Sequence, residues 1–143
     1  MSLIVQKFGG SSVKDAAHIR NVAGIIAETY LAGNDVIVVL SAQGDTTDDL
    51  ITKAEEINPH ASKREMDMLL STGEQISCSL CAMAIEAMGF PVVSLTGWQA
   101  GFRTNSSYGD ARIKRIDTER VLAELDKNTI VIVTGFQGLN KYE

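Results

Sequence analysis

Cysteine, proline and histidine are scarce in this chain of 143 residues, with two of each, and aromatic side chains make up only 6%. Two thiols close at most one disulfide, so a disulfide framework is excluded as the source of stability. Cys78 and Cys81 do have the CxxC spacing of a redox pair or half a metal site. They fall in the middle of a long apolar periodic segment, however, and not at a helix start where the dipole lowers a thiol pKa, so they are expected to be packing residues. His18 and His60 are isolated from any cysteine or carboxylate pattern, which excludes zinc spacing and a Ser/His/Asp order. Both are expected at the surface or in a cap. Positive charge is short as well: 13 Lys and Arg stand against 18 Asp and Glu, for a net charge of -5. The basic residues are scattered, so nothing marks a surface for nucleic acid or for an anionic membrane. No apolar run approaches the roughly 20 residues that cross a bilayer. Residues 1–7 lack a basic lead, a long apolar stretch and a small-residue cleavage site, so a soluble, cytoplasmic protein is expected. Internal repeats and low-complexity segments are also missing.

What the chain does have is apolar content, 45% of its residues. That suffices for one domain burying roughly two-thirds of its unfolded surface. Residues 3–8 form a mostly apolar run that stops at Gly9 and Gly10, the pattern of a buried strand entering a tight loop. Ile19, Val22, Ala23, Ile26 and Tyr30 recur at helical spacing and close near Gly33 and Asn34. Residues 36–40 are β-branched without alternation, which predicts a second strand buried on both faces. A short helix over 48–57 is halted by Asn58 and Pro59, and a longer one starts at Ser62 or Lys63. Its expected inner face is Met66, Leu69, Leu70, Gly73, Ile76, Ser77, Leu80, Ala84 and Met88, and Gly89 and Pro91 end it. Residues 91–96 predict a third strand, 97–109 a polar loop too long for a simple turn, Asp117 a helix cap, and 129–134 a last strand. Strands alternating with helices imply a parallel α/β sheet with right-handed crossovers.

Open parallel sheets bind ligands at the carboxyl ends of their strands. Here the unusual residues fall at those ends: 9–12, 41–47, 97–104 and 135–138. Lys7, Phe8, Gly9 and Gly10, followed by Ser11 and Ser12, combine a cation with adjacent glycine amides, a plausible phosphate cradle, although the lysine precedes the glycines instead of following them as in a P-loop. A tight turn with a solvated lysine reads equally well from these residues alone. Ser41, Gly44, Asp45, Thr46 and Thr47 could hold a polar small molecule or simply cap a helix. Glu74, beside Gly73 in an apolar stripe, needs a partner, either a structural hydrogen bond or a ligand's ammonium group.

Four stretches in order carry a resemblance: KFGGSSV from Lys7, SKREMDMLLSTGEQIS from Ser62, TGWQAG from Thr96 and VTGFQG from Val133. Together they resemble the bacterial aspartate kinases, almost end to end. Other kinases of the amino-acid-kinase fold, such as uridylate or glutamate kinases, share the glycine loop but are not expected to carry TGWQAG or the LSTGEQ helix. The resemblance implies a three-layer αβα sandwich around a mostly parallel sheet. It implies transfer of the γ-phosphoryl group of ATP, taken with Mg2+, to the side-chain carboxylate of L-aspartate. On that pattern Lys7 serves as the catalytic cation and binds the phosphates with Phe8, Gly9 and Gly10, while Ser41, Thr47 and Glu74 contact the amino acid.

Two positions depart from the pattern. Gln43 stands where methionine is usual, and Phe102 where a smaller aliphatic is common. Relatives also continue past GFQG into a GRGGSD segment, an adenine-binding lobe and ACT domains. The 143 residues are therefore expected to form an amino-terminal, substrate-side lobe with little kinase activity of its own. A sheet ending there leaves an open edge, from which a homo-oligomer is expected. A non-catalytic amino-acid-binding module is the competing expectation.

Overall fold

Short runs of Val, Ile and Leu dictate the four main strands, and the computed structural model, which describes residues 2–104 and 113–135, realises them in one sheet. The elements are β1 (Leu3–Phe8), a 3-10 turn (Gly10–Val13), α1 (Ala16–Leu31), β2 (Asp35–Leu40), α2 (Thr46–Ile57) and α3 (Lys63–Ala87), followed by β3 (Val92–Leu95), β4 (Phe102–Thr104), β5 (Ile113–Ile116), α4 (Glu119–Asp126) and β6 (Ile130–Thr134). Strands β1, β2, β6 and β3 lie side by side in that order, all parallel, while β4 and β5 form a separate antiparallel hairpin. That hairpin departs from the expected plain loop. Its strands are short and bulged between Arg103 and Thr104, which leaves no alternating pattern to read. Residues 105–109 of that stretch, 136–138 after β6, and the end of the chain at 140–143 lie outside the described residues.

Alternation along the strands splits the core in two. Val36, Val38, Leu40, Ile130 and Ile132 face α1 and α3, meeting Val22 and Ile26 from the first and Cys78, Cys81 and Ile85 from the second. On the reverse face Leu95, Val131 and Val133 pack under Leu125 of α4 and Ala100 beside the hairpin. The result is the αβα sandwich. Each fully buried Ile or Leu here contributes on the order of 1.5–3 kcal/mol. The reverse layer reaches β3, β6 and Ile37 of β2 but not β1, so Leu3 and Val5 remain 54% and 61% exposed. For the same reason β2 is not buried on both faces as expected: Val36, Val38 and Leu40 are buried, but Ile37 and Val39 only half so.

Helix α1 starts where Asp15 accepts the His18 amide at 2.9 Å, and the His18 ring lies 2.7 Å from the same carboxylate oxygen. These bonds hold the Asp15 carboxyl below its usual value. Ser62 caps α3 through the Glu65 amide. The buried side of α3 is Gly73, Ser77, Cys78, Cys81, Ala82 and Ile85, whereas Ile76, Leu80 and Met88, expected inside, are exposed. Small residues let α3 approach α1 and the sheet closely, and that side won the core over the bulkier stripe. By length and composition alone α3 could cross a membrane. Here its small-residue side is a wall of the core.

Candidate active site

A parallel sheet brings all its carboxyl ends to one edge, and the register sets them level. Phe8 pairs with Leu40, Leu40 with Thr134, and Leu95 with Val133. Backbone bonds then knit the loops that leave this edge. The Ser41 amide donates to the Phe8 carbonyl at 3.3 Å, the Gly44 amide to the Gly10 carbonyl at 2.9 Å, and the Gly135 amide to the Leu40 carbonyl at 3.0 Å. Thr134 is buried, and its hydroxyl accepts the Gly97 amide at 2.8 Å, tying the third loop to the fourth.

The two glycines after β1 are glycine for different reasons. A Cβ at Gly10 would lie 2.6 Å from the Ala42 carbonyl oxygen, so the loop after β2 leaves no room for a side chain. Gly9 has extended backbone at φ -80 and ψ 175 that any residue adopts, and a Cβ there would meet nothing within 4 Å. Neither strain nor packing among the described residues calls for glycine at that position. Lys7, in register with Val39, is exposed on the side of the sheet away from α3, and Phe8 is half-buried in the core on the near side. Gly44, at φ +42, does occupy the left-handed region that favours glycine, and it turns the chain into α2. Gln43 fills its place in this loop by donating to the Val13 carbonyl at 2.9 Å, which pins the 3-10 turn against the end of β2.

On the other side of the edge, α3 comes down onto the β2 loop. A Cβ at Gly73 would be 2.9 Å from the Ala42 Cβ and 3.4 Å from the Thr46 Cγ2. Three residues that sequence singled out flank this contact: Ser41 before Ala42, Thr47 after Thr46, and Glu74 after Gly73, all half-buried. The Glu74 carboxylate lies close enough to Cys78 to join burial and Cys81 in pushing that thiol up to about 12. Thr47 stands in the first turn of α2, whose start carries Asp48 and Asp49 and whose N-cap residue, Asp45, makes no side-chain capping bond. The structure therefore sets Ser41, Thr47 and Glu74 around the contact of Gly73 with Ala42 and Thr46, and Lys7 on the same edge from the opposite face. A ligand touching both sets must lie across the strand ends. Sequence reasoning gave no role to Thr134 or to the hydroxyl of Ser77. The signal for Ser77 was available: a hydroxyl inside an otherwise small and apolar helix stripe.

Comparisons with known proteins agree on one family. The profile of the amino acid kinase family matches residues 2–143. Aspartokinase from Geobacillus stearothermophilus is 55% identical over 141 residues, which cover 99% of this chain and 35% of that protein. Aspartokinase 2 from Bacillus subtilis is 50% identical with the same coverage of 99% and 35%. The chain thus spans about a third of the length of the curated relatives it matches. Among solved structures, the aspartate kinase from Synechocystis superposes with a TM-score of 0.82 at 43% identity, over 96% of this chain and 22% of that one. E. coli aspartokinase III, in complex with aspartate and ADP, gives 0.85 at 22% identity over 99% and 42%, a likeness of fold.

Proposed function

The chain belongs to the amino acid kinase family, and on that premise we propose that it carries the amino-acid side of an aspartate kinase. In this reading the side-chain carboxylate oxygen of L-aspartate attacks the γ-phosphorus of ATP. A new P–O bond forms, the bond to the β-phosphate bridge breaks, and 4-phospho-L-aspartate and ADP leave. No protein nucleophile is needed, so the chain's task is positioning and charge neutralisation. Glu74 meets the substrate ammonium group while Ser41 and Thr47 give hydroxyl contacts. Lys7 neutralises charge growing on the transferred oxygens, and the amides of Gly9 and Gly10 donate to them.

The observation that supports this most is the meeting of the Gly9–Gly10 turn, the Ser41–Thr47 loop and Glu74 at one sheet edge. The space over Gly9, open among the described residues, fits a phosphate that approaches the backbone closely. Among the described residues no group of three or more His, Cys, Asp or Glu side chains could hold a metal ion. Mg2+ would therefore arrive as the nucleotide's counter-ion, where it screens phosphate charge. With the reading go a cytoplasmic location, the cellular source of ATP, and assembly into a homo-oligomer.

The test is a hydroxamate assay on the full-length protein with Mg-ATP and a panel of aspartate, glutamate and uridylate. Aspartate-dependent acyl phosphate is the expected product, falling by about 10²-fold or more in Glu74→Gln. Preference for glutamate or uridylate would move the protein to another branch of the family. Calorimetric binding of aspartate with no turnover would make it a binding module. Residues 1–143 assayed alone should turn over far more slowly than the full-length protein, because Lys7 and two amides neutralise only part of the developing charge.

A further inference from the structure

We infer that Ser77 is a positioning residue that fixes the separation between Glu74 and Ser41, an inference that rests on the aspartate kinase reading of that site. Serine is a poor interior residue for a helix, and a buried hydroxyl costs free energy unless it is bonded. Ser77 nevertheless sits in mid-α3, fully buried, next to the apolar packing residues Cys78 and Cys81. Its hydroxyl has carbonyls of its own helix within reach, at 3.2 Å for Glu74 and 3.4 Å for Gly73. The shortest contact instead crosses to another element: the Ser77 Oγ donates to the Ser41 carbonyl at 2.6 Å.

That bond has a geometric consequence. Ser41 lies one residue beyond the end of β2; its amide still bonds the Phe8 carbonyl, while its own carbonyl takes the Ser77 hydroxyl. Gly73 brings α3 against the same loop, since its missing side chain would strike Ala42 at 2.9 Å. Contact between small apolar surfaces has no direction and lets a helix slide along its axis, whereas a short hydrogen bond one turn further on fixes the register. Glu74 lies between these two anchors and shares a helix face with Ser77, three residues away. The carboxylate that meets the substrate ammonium and the loop that supplies the Ser41 hydroxyl are thus held at one spacing by one buried hydroxyl.

The experiment uses the full-length protein and compares Ser77→Ala with the parent in steady-state kinetics and thermal melting. Loss of the anchor should raise KM for aspartate by about tenfold, since small misplacements at a site are costly. KM for ATP should stay within about twofold of the parent, because Lys7 and the glycine turn are tied to β2 by separate bonds. Ser77→Cys keeps a weak donor in a slightly larger side chain and should fall between the two. A merely structural role would lower melting temperature and active fraction while leaving both KM values alone. A folded Ser77→Ala protein with unchanged KM for aspartate, or with both KM values raised alike, overturns the proposal. Should Ser77→Ala not fold, the same comparison of KM values is decided on Ser77→Cys. If the parent protein does not phosphorylate aspartate, the functional reading has failed and the positioning role falls with it. That result is seen before any variant is made.

Discussion

Adjacent glycines look interchangeable in a sequence, yet Gly9 and Gly10 answer to different forces. At Gly10 an added methyl would press on the Ala42 carbonyl oxygen, which is backbone and cannot swing aside. Gly10→Ala should therefore cost about 1–3 kcal/mol of stability through overpacking. Gly9 has ordinary extended backbone and open space above it, so Gly9→Ala should leave the fold unharmed or stabilise it by roughly 0.4–1 kcal/mol through the unfolded chain. If phosphate lies against this turn, the same methyl stands in its way, and KM for ATP should rise while the melting temperature does not fall. Melting curves and ATP kinetics on the two variants would separate the roles. An unchanged KM for ATP in Gly9→Ala would remove Gly9 from the phosphate site. The GGSS run told the sequence reader that the turn was special, but not which glycine served the fold.

Helix α3 shows where legibility in sequence stops. Its ends were readable, because Ser62 is a capping residue in front of a helical run and Gly89 and Pro91 cannot continue one. Its orientation was legible only in part. Ile76, Leu80 and Met88 form a stripe as periodic as the buried one, and volume-hungry residues draw the eye inward. Packing kept the expected Gly73 and Ser77 inside but joined them with Cys78, Cys81, Ala82 and Ile85 instead of the bulkier stripe, since close approach to α1 and to the β2 loop favours small residues at the contact. The β4–β5 hairpin escaped for a different reason, being too short and irregular to alternate. The choice of side also decides the chemistry of the CxxC pair. Burial pushes Cys78 up to about 12 and Cys81 up to about 11, against an ordinary 9.0. Native protein at about pH 8 should react with a thiol reagent only as fast as α3 opens, and both thiols should react at once in denaturant. Prompt reaction in the native state would contradict the packing. Because both values are raised, the stability tied to neutral thiols is fully present below 9.0 and is lost as pH rises toward 12, so melting temperature should decline over that alkaline range.

At the scale of the molecule the four parallel strands end in two edges of unequal risk. β3 is four residues long and preceded by Pro91, features that discourage a new strand from pairing. β1 has six residues, contains neither proline nor bulge, and among the described residues only β2 pairs with it. Its outward face adds Leu3 and Val5, which α4 and the hairpin do not reach. Such an edge presents backbone donors and acceptors together with apolar surface, so residues 1–143 expressed alone should self-associate. Light scattering across micromolar concentrations checks this, and Val5→Lys should shift the profile toward monomer, because a charge on an edge strand opposes pairing without disturbing α1 or α3. A strictly monomeric profile in the parent polypeptide would sink the edge argument. Comparison with the full-length protein then assigns the cover. If that protein is a monomer while residues 1–143 associate, its own chain caps β1. If both associate and Val5→Lys weakens both, the edge is a subunit contact, and the amino-acid side of the site lies one strand away from it.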